Sequence, residues 1–140
     1  MKRAPFVTTL VAASIALAAP ASAGVVLNTI DRDVSLDDTG HVVAVTGPIR
    51  CTEAEQATIR LTVTQRTTGA VSEGRWRGRC RRTTTTWTAK RFVRNGSATF
   101  RPGTARACAL AVTRRARRAT DAKQWCEAVR LVQAPTEEPR

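Results

Sequence analysis

The chain has no tyrosine, a single histidine and four cysteines. Each scarcity removes a class of chemistry. Any scheme built on an imidazole base would have to use His41. That residue follows the turn-forming run Asp37-Asp38-Thr39-Gly40 and opens a strand, where a solvent-exposed side chain is expected. Asp38-Thr39-Gly40 is the only D-T-G triplet in the chain, whereas aspartic proteases need two such aspartates sharing a proton. No C-x-x-C pair occurs, so a zinc site is not expected. No glycine-rich phosphate loop is present. Glu53 and Glu55 are the nearest approach to a paired-carboxylate site. They lie in a polar stretch beside Cys51 and read as solvated surface. We therefore expect no catalytic residue, no metal ligand and no cofactor, and hence a non-enzymatic protein.

Long hydrophobic runs are also missing. Phe6 to Ala19 is apolar but shorter than the ~20 residues of a membrane span. Lys2 and Arg3 precede it and Ala21-Ser22-Ala23 follows, which is the pattern of a secretory signal peptide over residues 1–23. A mature chain starting at Gly24 and exported from the cell is expected, with no transmembrane segment after cleavage. It would hold 117 residues, enough for one domain. We place that domain over 24–133, with a disordered polar tail over 134–140. All four cysteines lie beyond residue 23. An even number in an exported chain predicts two disulfides.

What remains reads as β-structure. Helical periodicity is absent, and turn signals recur about every 8–12 residues. The first strand is expected within Val25–Leu36 and the second over His41–Cys51, with a bulge or bend at Gly47-Pro48. Ala57, Ile59, Leu61 and Val63 then alternate with Thr58, Arg60, Thr62 and Thr64, one set facing inward and the other outward. Thr67-Thr68-Gly69 turns this strand into its hairpin partner, Val71–Cys80. Thr83–Phe92 is β-prone, with Trp87 and Ala89 on one face. Asn95-Gly96 is a strong hairpin signal, setting Arg91–Arg94 against Ser97–Phe100. The last strands are expected over Ala105–Thr113 and Thr120–Val132, joined by Arg114–Arg118. A hairpin centred at residue 117 sets Cys108 opposite Cys126. Elimination leaves Cys51 with Cys80.

Val71–Cys80 gathers most of these themes. Alternation places Gly74, Trp76, Gly78 and Cys80 on one face, with Trp76 expected in the core. Arg75, Arg77 and Arg79 fall on the other, about 7 Å apart. They open an acid-free segment, Gly74–Thr120, that carries 14 basic residues and no aspartate or glutamate. Loss of Lys2 and Arg3 would lower the formal charge only from +12 to +10. After residue 23 the only lysines are Lys90 and Lys123, an arginine bias that a GC-rich genome also produces. Crowded like charges call for counter-ions or an anionic partner. The candidate anion-binding residues are Arg75, Arg77, Arg79, Arg114, Arg115, Arg117 and Arg118. The few tryptophans supply no stacking platform, which argues against nucleic acid as the partner. An anionic cell-envelope polymer or anionic lipid head groups suit an exported monomer better. A loop at Arg114–Arg118 inserted into a secreted protease is the alternative, with a secreted protein as partner.

The succession T-G-P-I-R-C, V-T-Q-R-T-T-G, G-R-W-R-G-R-C, a strand tryptophan and F-R-P-G-T-A-R-A-C-A-L-A-V resembles small secreted actinobacterial proteins of unknown function. That resemblance covers roughly Val34 to Val132. It implies an immunoglobulin-like antiparallel β-sandwich of about seven strands, and it implies no reaction.

Overall fold

A computed structural model describes residues 24–94 and 96–135. The expected signal peptide, Asn95 and the end of the expected tail lie outside these residues. The described chain is all-β, with eight strands and no helix. They are β1 (Val25–Asn28), β2 (Asp33–Leu36), β3 (Val42–Cys51), β4 (Glu55–Gln65), β5 (Ala70–Cys80), β6 (Thr85–Phe92), β7 (Gly103–Arg115) and β8 (Arg118–Gln133).

Hydrogen bonding links the strands in the order β1-β3-β2-β8-β7-β4-β5, with β6 on β3. All pairs are antiparallel except β2 with β8. The pairing of β3 with β6, and the succession β8-β7-β4-β5, follow the order of an immunoglobulin-like sandwich. All eight strands belong to one hydrogen-bonded sheet. β2 pairs with both β3 and β8, and a bridge between Ser72 and Val93 brings β5 to the end of β6. Each of β5 and β6 is laddered on one side only, and the Ser72–Val93 bridge is the one β-bridge between their free edges among the described residues.

Alternation drives this arrangement. In β3 and β4 every second residue is buried, and the same pattern in β7 sends Ala105, Ala107, Ala109 and Ala111 inward. Small alanines there leave room for the large core side chains Trp87, Leu36, Ile49, Ile59 and Leu131, all fully buried. Interiors close-pack by such pairing of large with small.

Both expected disulfides are present, Cys51–Cys80 and Cys108–Cys126. They close spans of 29 and 18 residues. In the chain-entropy account each contributes roughly 3–4 kcal/mol. The second joins directly paired residues of β7 and β8. The first ties the ends of β3 and β5 together, two strands with no ladder between them.

Several expectations need correction. The segment Val25–Leu36 is two strands: Thr29–Arg32 leaves the ladder, and β1 and β2 pair with different stretches of β3. Gly47-Pro48 makes no bulge, because the β3–β6 register runs through it unbroken. Gly47 instead admits close neighbours: a side-chain carbon there would collide with the Thr29 carbonyl and lie 2.9 Å from the Trp87 ring. The chain after Gly96 does not return as a strand. It runs irregularly to Gly103, where β7 begins. The connection Arg114–Arg118 is shorter than expected, since β7 continues to Arg115 and β8 starts at Arg118. Ala116 and Arg117 alone make the turn, both with positive φ, 47° and 68°. Ala134, the first residue of the expected tail, bonds to the domain through its N–H to the Leu36 carbonyl at 2.8 Å.

Buried polar groups fasten the irregular segments. Gln65 is buried, accepts from Arg101 N–H at 2.9 Å and donates to the Arg101 carbonyl at 2.8 Å. That pair of bonds anchors the entry into β7. Asp37 holds the turn before β3, accepting from the N–H groups of His41 and Val42, each at 2.9 Å. Partial burial draws its carboxyl upward, but hydrogen bonds from Thr39, Val42 and His41 together outweigh this and hold it below the ordinary range. His41 itself is exposed.

Candidate basic face

The outward side chains of β5, β4 and β7 form one continuous surface. Registers place Arg75 opposite Arg60, Arg77 opposite Thr58 and Arg79 opposite Gln56. One strand further, Arg60 lies beside Leu110, Thr58 beside Val112 and Gln56 beside Arg114. Arg60, Arg75, Arg77, Arg79 and Arg114 are all exposed. A groove on this face is lined by Arg60, Arg75, Arg77, Leu110, Val112 and Arg114. Gln56 and Thr58 line it along the middle strand, with Leu110 and Val112 on the β7 side and Arg75 and Arg77 on the β5 side.

The Arg60–Arg75 pair is the centre of this face. Directly opposed residues on antiparallel strands hold their Cβ atoms about 4.5–5.5 Å apart, and like charges in that position repel. Arg91 reaches the edge of β5 from β6, lying over Gly74 on the other side of the strand. Its guanidinium donates to the Arg75 carbonyl, and it lines a second depression with Arg60, Glu73, Gly74 and Arg75. The neighbouring acid, Glu73, is 3.7 Å from Arg94 and exposed.

The G-R-W-R-G motif explains how β5 tolerates this crowding. A side-chain carbon at Gly74 would collide with the Arg91 side chain, and one at Gly78 with the Trp76 ring. The two glycines are therefore the floor on which Arg91 and Trp76 lie. This also corrects the expected role of Trp76. Its ring lies along its own strand over Gly78 and is only partly buried, packed at the margin of the core. Trp87 is the fully buried tryptophan.

The structure divides the sequence-expected arginines into three groups. Arg75, Arg77, Arg79 and Arg114 share the outer face. Arg117 and Arg118 sit at the exposed β7–β8 turn. Arg115 belongs elsewhere: it forms an ion pair with Glu53 and approaches Glu55 at 3.9 Å. The hydrogen bond and charge of Arg115 hold the Glu53 carboxyl below the usual range, and Glu53 in turn raises Arg115. Glu55 is not solvated surface, since only 4% of it is exposed. It occupies an inward position at the start of β4, opposite Cys80. Both its carboxylate oxygens lack a hydrogen-bond partner among the described residues, so Arg115 is its nearby compensating charge.

Sequence reasoning missed Arg60 as a member of the basic face and Arg91 at its β5 edge. Arg60 was visible on the outward side of its strand, but its pairing with Arg75 depends on the β4–β5 register. Arg91 occupies an inward-directed position of β6, and only the packing of β6 against β5 carries it to Gly74.

Among the described residues no cluster of histidine, cysteine, aspartate or glutamate is suited to hold a metal ion, and no helix is long and apolar enough to cross a membrane. No protein-family model matches the chain, and a search of curated proteins found no match.

Proposed function

We propose that this protein is an exported, non-catalytic binding module whose β5-β4-β7 face engages an anionic polymer of the cell envelope. The opposition of Arg60 and Arg75 carries the reading. Two like charges on directly opposed residues destabilise the free sheet, and an anion bound by both reverses that cost. Arg77, Arg79 and Arg114 extend the charge along the strands. Planar guanidinium forks match phosphate and carboxylate oxygens bidentately, so a polymer with repeated acidic groups suits the row. The resemblance to small secreted actinobacterial proteins accords with this setting and supplies no ligand. The tight Ala116-Arg117 turn leaves little loop to insert into a protease cleft, which disfavours an inhibitor.

The test is binding of the chain lacking residues 1–23 to isolated cell envelope and to polyphosphate beads across a salt series. Retention is expected at low salt and release as salt rises, because exposed charge contacts are screened. Arg60→Glu with Arg75→Glu is expected to abolish retention. Retention that ignores both salt and these substitutions would overturn the proposal.

A further inference from the structure

A second built site lies where the chain enters β1. Ala23 ends the A-S-A triplet and residue 24 is glycine. Gly24 is buried. Its N–H donates to Thr52 Oγ1 at 2.9 Å, and Thr52 N–H donates back to the Gly24 carbonyl at 2.9 Å. The next amide, Val25 N–H, donates to Asp121 Oδ2 at 3.0 Å. The other carboxylate oxygen accepts from Ala122 N–H at 2.9 Å. A side-chain carbon on Gly24 would lie 2.6 Å from Asp121 Oδ2. The carboxylate thus fills space that only glycine leaves open. Ordinary covalent geometry then puts the Gly24 nitrogen within about 5 Å of that oxygen. Among the described residues no lysine or arginine forms an ion pair with Asp121.

We propose that Thr52 and Asp121 form a docking site for the α-ammonium group created when the Ala23–Gly24 peptide bond is hydrolysed. The reaction is endoproteolysis of the signal-peptidase class, with water as co-reactant. The carbonyl carbon–nitrogen bond breaks, water supplies hydroxyl to the Ala23 carbonyl, and protons pass to the Gly24 nitrogen. At neutral pH the products are the Ala23 carboxylate and the Gly24 ammonium. A peptide nitrogen at this position offers one donor. The ammonium offers three and a positive charge, within about 5 Å of a carboxylate that no other cation among the described residues pairs with. Processing therefore adds an ion pair that the uncleaved chain lacks, and it locks β1 to β8 and to the loop before β4. This inference does not depend on the basic face.

The direction of the pH effect follows from the pairing. The α-amine of an unfolded chain titrates at about 7.7–8.0, and a carboxylate at close range raises that value in the folded state. The added stability is complete below the unfolded value and is lost as pH rises through the folded one.

The experiment has three arms. Mass spectrometry of the exported chain is expected to give Gly24 as its first residue. A different first residue overturns the proposal. Chains beginning at Gly24 and at Ala23 are then melted between pH 6 and 10. The Gly24 chain is expected to unfold a few degrees higher at pH 6–7, with the gap closing toward pH 10. Equal midpoints, or a gap independent of pH, overturn the proposal. In Asp121→Asn the gap is expected to vanish, and its persistence is equally fatal. If that variant does not fold, NMR titration of the Gly24 amine in the unsubstituted chain decides: a folded-state value no higher than that of a free peptide refutes docking.

Discussion

Arg60 on β4 and Arg75 on β5 face each other in direct register, two exposed positive charges on the outward side of the β4–β5 ladder. Repulsion between directly opposed like charges is worth roughly 0.2–1 kcal/mol. Arg60→Thr is therefore expected to raise the denaturation midpoint at low salt while weakening retention on polyphosphate. The stability gain should shrink as salt screens the pair. A variant that loses both stability and retention would show that Arg60 is structural.

Arg115 supplies the opposite case. Its removal leaves Glu55, with almost no exposed surface, without its nearby cation. Arg115→Ala is expected to lower the melting temperature clearly at neutral pH. The Glu53 carboxyl lies below its ordinary value because of Arg115. A depressed carboxyl contributes stability above its unfolded value and loses it as pH falls through the folded one. The gap between Arg115→Ala and the unsubstituted chain should therefore narrow below about pH 4. Melts recorded from pH 7 down to pH 3 check the sign. Replacing Glu55 as well by an apolar residue is expected to recover part of the loss, since an uncompensated buried charge then disappears.

Gln65 ties β4 to the segment entering β7 through both atoms of its amide. Gln65→Leu leaves the Arg101 N–H and carbonyl without those partners, at a cost of about 1–3 kcal/mol. Hydrogen exchange should quicken first at residues 101–104. Unchanged protection there would contradict the anchoring role.

The Ala116-Arg117 turn places two non-glycine residues at positive φ, a conformation that Asn-Gly adopts with least cost. Left-handed backbone costs such residues roughly 1–2 kcal/mol each. Ala116→Asn with Arg117→Gly is expected to raise the unfolding midpoint measurably. Because Arg117 lies off the β5-β4-β7 face, polymer retention should change little, which separates turn strain from binding.

The tryptophans separate by burial. Trp87 is fully buried, and Trp87→Ala is expected to cost about 3–5 kcal/mol. Trp76, lying along β5 over Gly78, is expected to cost less. Chemical denaturation of the two variants gives the order directly, and a greater loss at Trp76 would contradict the packing.

Much of this protein follows from local pattern. Period-two alternation in β3, β4 and β7 places the core face without reference to any partner strand, because an extended chain sends successive side chains to opposite sides. The hairpin spacing about residue 117 likewise suffices to pair Cys108 with Cys126, and four cysteines then leave Cys51 for Cys80. Contacts between segments distant in sequence were decided only by the fold. Nothing in Glu55 itself distinguishes a solvated loop carboxylate from a buried one; the β4–β5 ladder turns it inward opposite Cys80. Nothing near Trp76 predicts that its ring follows its own strand, because that depends on what Gly74 and Gly78 must admit. The run of arginines was visible as charge, but its division was not. Register sets Arg75 against Arg60, β6 carries Arg91 to Gly74, and the end of β7 turns Arg115 to Glu53 and Glu55. Sequence determines which face of a strand a residue occupies; only the pairing of strands determines which charge it meets.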